Sequence, residues 1–97
     1  MLVAPPSPSV ITGIPAIAAF ATGLDLADVR LKAPTRLVYG AEDPHRPGGA
    51  AAHYGDPLSL DRDLVPSGGH LGIPAGYGEW PSALEWCEDP AVRLRTR

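Results

Sequence analysis

A chain of 97 residues holds at most one small domain, and a domain of that size withdraws only about 60–70% of its unfolded surface from water, so its margin of stability is thin. An apolar content of 44% and a charged content of 20% belong to a globular protein and exclude wholesale disorder. A net charge of −3 without a basic stripe excludes the electrostatic footprint of a nucleic-acid or anionic-membrane binder, so neither partner is expected.

The 12 prolines and 11 glycines make the chain rich in loops. Its single cysteine, Cys87, excludes an internal disulfide and any multi-cysteine zinc site, and makes the reducing cytoplasm the expected compartment. The opening MLVAPPSPSV lacks a basic start and its apolar run is broken at once by prolines, which is not the pattern of a signal peptide. Residues 10–23 are apolar but interrupted by Gly13 and Pro15, and they fall short of the roughly 20 residues that a membrane span needs.

Residues 1–4 form an apolar run stopped by Pro5-Pro6, which reads as the end of a buried strand leaving its sheet. Such a strand has no lead-in, so Met1 is read as a start imposed on a longer pattern. Residues 7–33 carry Pro and Ser punctuation, an Ala/Ile-rich patch at 14–20 and a polar stretch at 25–32. They are expected to form a crossover with one or two short helical turns. The segment PTRLVYG, residues 34–40, enters through proline and ends on glycine around a compact apolar run, and is the clearest strand. A loop follows at 41–47 with Glu42, Asp43, Pro44 and His45, then a short helix at 48–54 ended by Gly55. Residues 58–65 alternate Leu58, Leu60, Arg62 and Leu64 with polar neighbours, predicting a strand with one solvated face.

A turn at 66–69 leads into His70. The stretch PSALEWCE, residues 81–88, predicts a helix with proline in its first turn and Ala83, Leu84, Trp86 and Cys87 available for burial. Trp80 and Trp86 are expected to anchor it, and Cys87 to be a small buried hydrophobe. Residues 89–97, with three arginines in AVRLRTR, are expected to be a loose, solvated tail. The order strand, crossover, strand, helix, strand, helix predicts an α/β fold: a short parallel sheet of about three strands with flanking helices.

Parallel sheets carry their reactive loops at the carboxyl ends of the strands. Asp43 follows the strand at 36–39 and His70 follows the strand at 58–65, so neighbouring strands would open both side chains onto one edge. An aspartate there accepts the imidazole Nδ1–H and fixes the tautomer, leaving Nε2 as general base. The competing readings are a turn aspartate before Pro44, with Glu42 as a neighbouring competitor for the acid, and a structural or merely exposed loop histidine. His45 and His53 beside Asp43 have no metal-binding spacing, so no metal or cofactor is expected.

LVAPPSP at the start, PTRLVYGAEDP in the middle and GHLGIPAGYGEWP near the end together resemble the second half of the YdeN-like serine hydrolases, the group that includes retinoblastoma-binding-protein-like hydrolases. The resemblance covers residues 2–86. It implies a partial α/β-hydrolase fold, a three-layer remnant spanning residues 1–97, with Asp43 as catalytic acid, His70 as catalytic base and a small ester or amide as substrate. Gly72 and Ala75 stand where that family carries polar residues, which implies weaker support behind the imidazole. The family's G-x-S-x-G nucleophile elbow, which also supplies oxyanion donors, is absent: Ser7, Ser9, Ser59, Ser67 and Ser82 all lie outside such a motif. The chain alone is therefore expected to be inactive. The alternative is a non-catalytic remnant or interaction module that self-associates through an exposed sheet edge.

Overall fold

The computed structural model describes residues 1–21 and 25–97. Strand β1 (Leu2–Val3) is followed by helix α1 (Pro8–Thr12), strand β2 (Arg36–Gly40), strand β3 (Asp61–Val65) and helix α2 (Pro81–Glu88). The three strands form one parallel sheet in the order β1-β2-β3, with Leu2 opposite Leu37 and the five residues of β2 paired in step with those of β3, from Arg36–Asp61 to Gly40–Val65. This is the small α/β architecture that the order of elements predicts, a partial α/β-hydrolase fold.

The central strand is covered on both faces, as parallel strands are. Leu37 and Val38 are fully buried, and because side chains alternate across a strand they enter different cores. Leu37 packs with Ala50 and Leu60 beneath one wide helical turn, Ala51–Gly55; Val38 packs with Ala4, Val65, Leu71 and Leu94, against which Tyr77, Trp80, Ala83 and Trp86 are laid. The sheet is thus the middle of three thin layers. In the crossover, Ser7 caps α1 by accepting the Val10 N–H, with Pro8 in the first turn; single turns follow at Ala18–Phe20 and Leu26–Asp28. Residues 22–24 of the predicted crossover lie outside the described residues.

Four expectations need correction. The helix predicted at 48–54 is reduced to that single wide turn, whose bonds include Asp56 N–H to Ala51 C=O at 2.9 Å. The last strand begins at Asp61, and its buried row is Asp63 and Val65, whereas Leu64 is 51% exposed. In α2 the face toward the sheet is Ser82, Ala83 and Trp86, one turn apart; Leu84 and Cys87 project elsewhere and are exposed. The C-terminal segment is not loose. Leu94 is buried, and the Ser82 hydroxyl both donates to the Arg95 carbonyl (3.2 Å) and accepts its N–H (3.0 Å).

One buried carboxylate explains both the strand face and the tail. Asp63 accepts hydrogen bonds from Arg36 Nη1 and the Leu94 N–H, each at 2.8 Å, and is ion-paired with Arg93 Nη2 at 2.6 Å. Arg36 in turn donates to the carbonyls of Val92 and Pro90, both at 3.1 Å. Arg93 also reaches Asp61 at 2.7 Å, and this bond holds the Asp61 carboxyl below its ordinary range. Removing one member of a buried pair strands the other, at a cost of about 3–5 kcal/mol. Asp63→Ala should therefore lower the urea midpoint severely and release the tail to hydrogen exchange. An unchanged midpoint would show that the pair is dispensable.

Candidate functional site

Each strand turns sharply at its carboxyl end. The residues just beyond them, Ala4 (φ +41°), Glu42 (φ +58°) and Ser67 (φ +55°), are left-handed, a conformation that costs non-glycine residues roughly 1–3 kcal/mol each. These turns bring three loops together. The Ser7 N–H donates to the His45 carbonyl (2.9 Å), joining the loop after β1 to the loop after β2. After β3, the Gly68 N–H closes a turn onto the Val65 carbonyl (3.2 Å), with Pro66 and left-handed Ser67 at its centre. Gly40 ends β2 against this loop: a Cβ there would collide with the Gly69 carbonyl oxygen and stand 2.7 Å from its nitrogen. The backbone that carries His70 can approach β2 only because residue 40 has no side chain.

Asp43 and His70 meet across this edge. Asp43 Oδ1 accepts the His45 backbone N–H at 2.8 Å, which curls the loop into an Asx turn, and Oδ2 lies 2.9 Å from His70 Nδ1. The aspartate side chain is 5% exposed and the imidazole 42% exposed. An ionised carboxylate can only accept, so with neutral imidazole Nδ1 carries the proton and Nε2 keeps its lone pair. A lone pair left free in this way can accept a proton, and a buried carboxylate beside the ring can stabilise an imidazolium.

The His45 ring packs edge-on against His70, with centroids 4.4 Å apart, and both rings border a cavity of about 370 Å³ with Pro44, Gly72, Pro74 and Ala75. This contact was not legible in the sequence. In the sequence His45 is a loop residue without metal-binding spacing; its position in the fold follows from the Asx turn, in which Asp43 Oδ1 accepts its backbone N–H. Among the described residues no group of three or more His, Cys, Asp and Glu side chains is placed to hold a metal. His53 packs against Tyr54 instead, and partial burial together with the charge of Arg46 holds it below its ordinary range.

No serine hydroxyl hydrogen-bonds His70 among the described residues. Ser7 is buried at the α1 cap, sharing a 3.0 Å bond with Ser9, and Ser82 is tied to Arg95. Ser59 and Ser67 are exposed on turns. The geometry of the Asp43–His70 pair makes a spectroscopic prediction. Neutral His70 should show the Nδ1–H tautomer in its ¹⁵N spectrum, and Asp43→Ala should redistribute it toward Nε2–H. An Nε2–H tautomer in the unaltered chain would contradict the bond.

None of the described helices is long and apolar enough to cross a membrane. No curated protein and no solved structure matches the chain. A family model described as serine hydrolase does match, over residues 1–88, a span that takes in all three strands, Asp43, His70 and the whole of α2. On that match the chain belongs to the serine hydrolase family.

Proposed function

We propose that Asp43 and His70 are the acid and base of a Ser-His-Asp triad in a YdeN-like, retinoblastoma-binding-protein-like hydrolase of small esters or amides. The observation that carries this reading is the 2.9 Å contact between a buried carboxylate and a solvent-accessible imidazole at the carboxyl edge of a parallel sheet. His70 Nε2 takes the proton of a serine hydroxyl as its oxygen attacks the substrate carbonyl. The protonated ring then gives that proton to the leaving alcohol or amine as the tetrahedral intermediate collapses to an acyl-enzyme. Asp43 stays ionised throughout, holding the ring and balancing its charge. A second round, with water in place of the serine hydroxyl, releases the acid. The exposed free thiol of Cys87 is compatible with work in the cytoplasm.

The nucleophile in this reading is none of the five serines of the sequence, because none lies in an elbow motif. Losing the nucleophile of a triad costs on the order of 10⁶ in kcat, about as much as losing the whole triad. The chain alone should therefore neither take a fluorophosphonate label nor hydrolyse p-nitrophenyl acetate faster than an exposed histidine does. A segment bearing a G-x-S-x-G elbow, supplied ahead of Met1, should restore labelling at its own serine, and His70→Ala should abolish it. Labelling of Ser7, Ser9, Ser59, Ser67 or Ser82 that His70→Ala removes would overturn the assignment.

A second, non-catalytic reading draws on the margin of the sheet. Among the described residues β1 pairs only with β2, and Val3 is 42% exposed. An unpaired parallel edge is a template for another strand. Association of copies through this edge should appear as concentration-dependent light scattering with protection of the β1 amides. A monodisperse monomer at every concentration would remove this reading.

A further inference from the structure

Arg46 is only 6% exposed. Its backbone is fixed on both sides, the N–H donating to the Asp43 carbonyl and the carbonyl accepting the Gly49 N–H, each at 3.0 Å. The guanidinium lies over the Tyr54 ring, 5.0 Å from the centroid, and the Tyr54 hydroxyl donates to the Pro6 carbonyl at 2.8 Å, so the supporting ring is itself held. Stacking covers the face of a guanidinium and leaves its in-plane N–H groups to an acceptor.

Among the described residues those groups find none. Nε is buried without a hydrogen-bond partner, and Arg46 takes part in no ion pair. Arg36, also buried, shows the usual resolution, with Asp61 and Asp63 and two carbonyls around it. A buried N–H without a partner is costly, and the cost falls when an acceptor is supplied. A cavity of about 370 Å³ is bordered by Arg46 together with Tyr39, Glu42, Asp43, Pro44 and Gly49.

The carboxylates on that wall decide what can enter. Both oxygens of Asp43 are engaged, by the His45 N–H and by His70, and Glu42 is exposed. Together they repel a dianion such as a phosphate monoester. A carboxylate carries one charge and matches the guanidinium fork with two parallel N–H···O bonds. We propose that Arg46 is a binding site for the carboxylate group of a small organic ligand. Pro44 borders both this cavity and the one beside His70, so the two are adjacent. The inference concerns binding alone and stands whether or not Asp43 and His70 are catalytic.

The test follows the Arg46 Nε–H resonance of the full chain during additions of benzoate, its neutral isostere benzamide, and phosphate, at constant ionic strength. Benzoate should give a saturable shift, with benzamide and phosphate weaker by about tenfold or more, because only benzoate offers one negative charge on two planar oxygens. Arg46→Met, which keeps an apolar stem, should abolish the response in the neighbouring amides of residues 41–49. Arg46→Lys, with charge but no fork, should bind more weakly than the unaltered chain. Absence of saturation in the folded chain, equal binding of benzamide or phosphate, or unchanged affinity in Arg46→Met would each overturn the proposal. Should Arg46→Met fail to fold, the comparison of the three probes on the unaltered chain decides alone.

Discussion

The carboxylate of Asp63 gathers three partners from two parts of the chain: Arg36 on the neighbouring strand, and Arg93 and the Leu94 N–H from the C-terminal segment. Without those partners a charged residue could not occupy the inward-facing row of β3, because desolvating a lone carboxylate costs several kcal/mol. With them, the register of β3 on β2 is set, Leu94 is drawn into the core with Val38 and Val65, and Ser82 can lock the start of α2 to Arg95. The sheet, the second helix and the end of the chain are therefore one packing problem with one electrostatic centre.

The opposite end of the same strands is organised by backbone geometry. Left-handed turns after all three strands, and the contact of Gly40 with the Gly68–Gly69 backbone, bring the loops carrying Asp43 and His70 to one edge. Strain of this kind persists only where the surroundings over-determine it. Here β2 is the anchor for both ends: Arg36 at its start belongs to the buried ion cluster, and Gly40 at its close admits the histidine loop. Stability and the candidate chemistry occupy opposite ends of one five-residue strand.

Arg36 and Arg46 form an instructive contrast. Both are buried, yet one is surrounded by carboxylates and carbonyls while the other, among the described residues, has the face of Tyr54 and no hydrogen-bond acceptor for its Nε. Interior polar groups are tolerated when they are matched, and the unmatched Nε of Arg46 is what the proposed carboxylate would satisfy.

The features readable from residue order are local. The strand at 36–40 announced itself because an apolar run between proline and glycine has few other conformations open to it, and Asp43 and His70 stood out because each follows a strand in a chain whose alternation implies a parallel sheet. Tertiary packing settles which row of β3 faces inward, that residues 89–97 are packed, that Cys87 is exposed, and that His45 lies on His70 while Arg46 Nε has no hydrogen-bond partner among the described residues. The division has a physical cause. Hydrophobic periodicity and turn chemistry act over a few residues and are written in order along the chain, whereas the burial of Asp63 and Leu94 depends on a hydrogen bond between residues 31 positions apart, whose strength comes from a low-dielectric interior that exists only once the chain has folded.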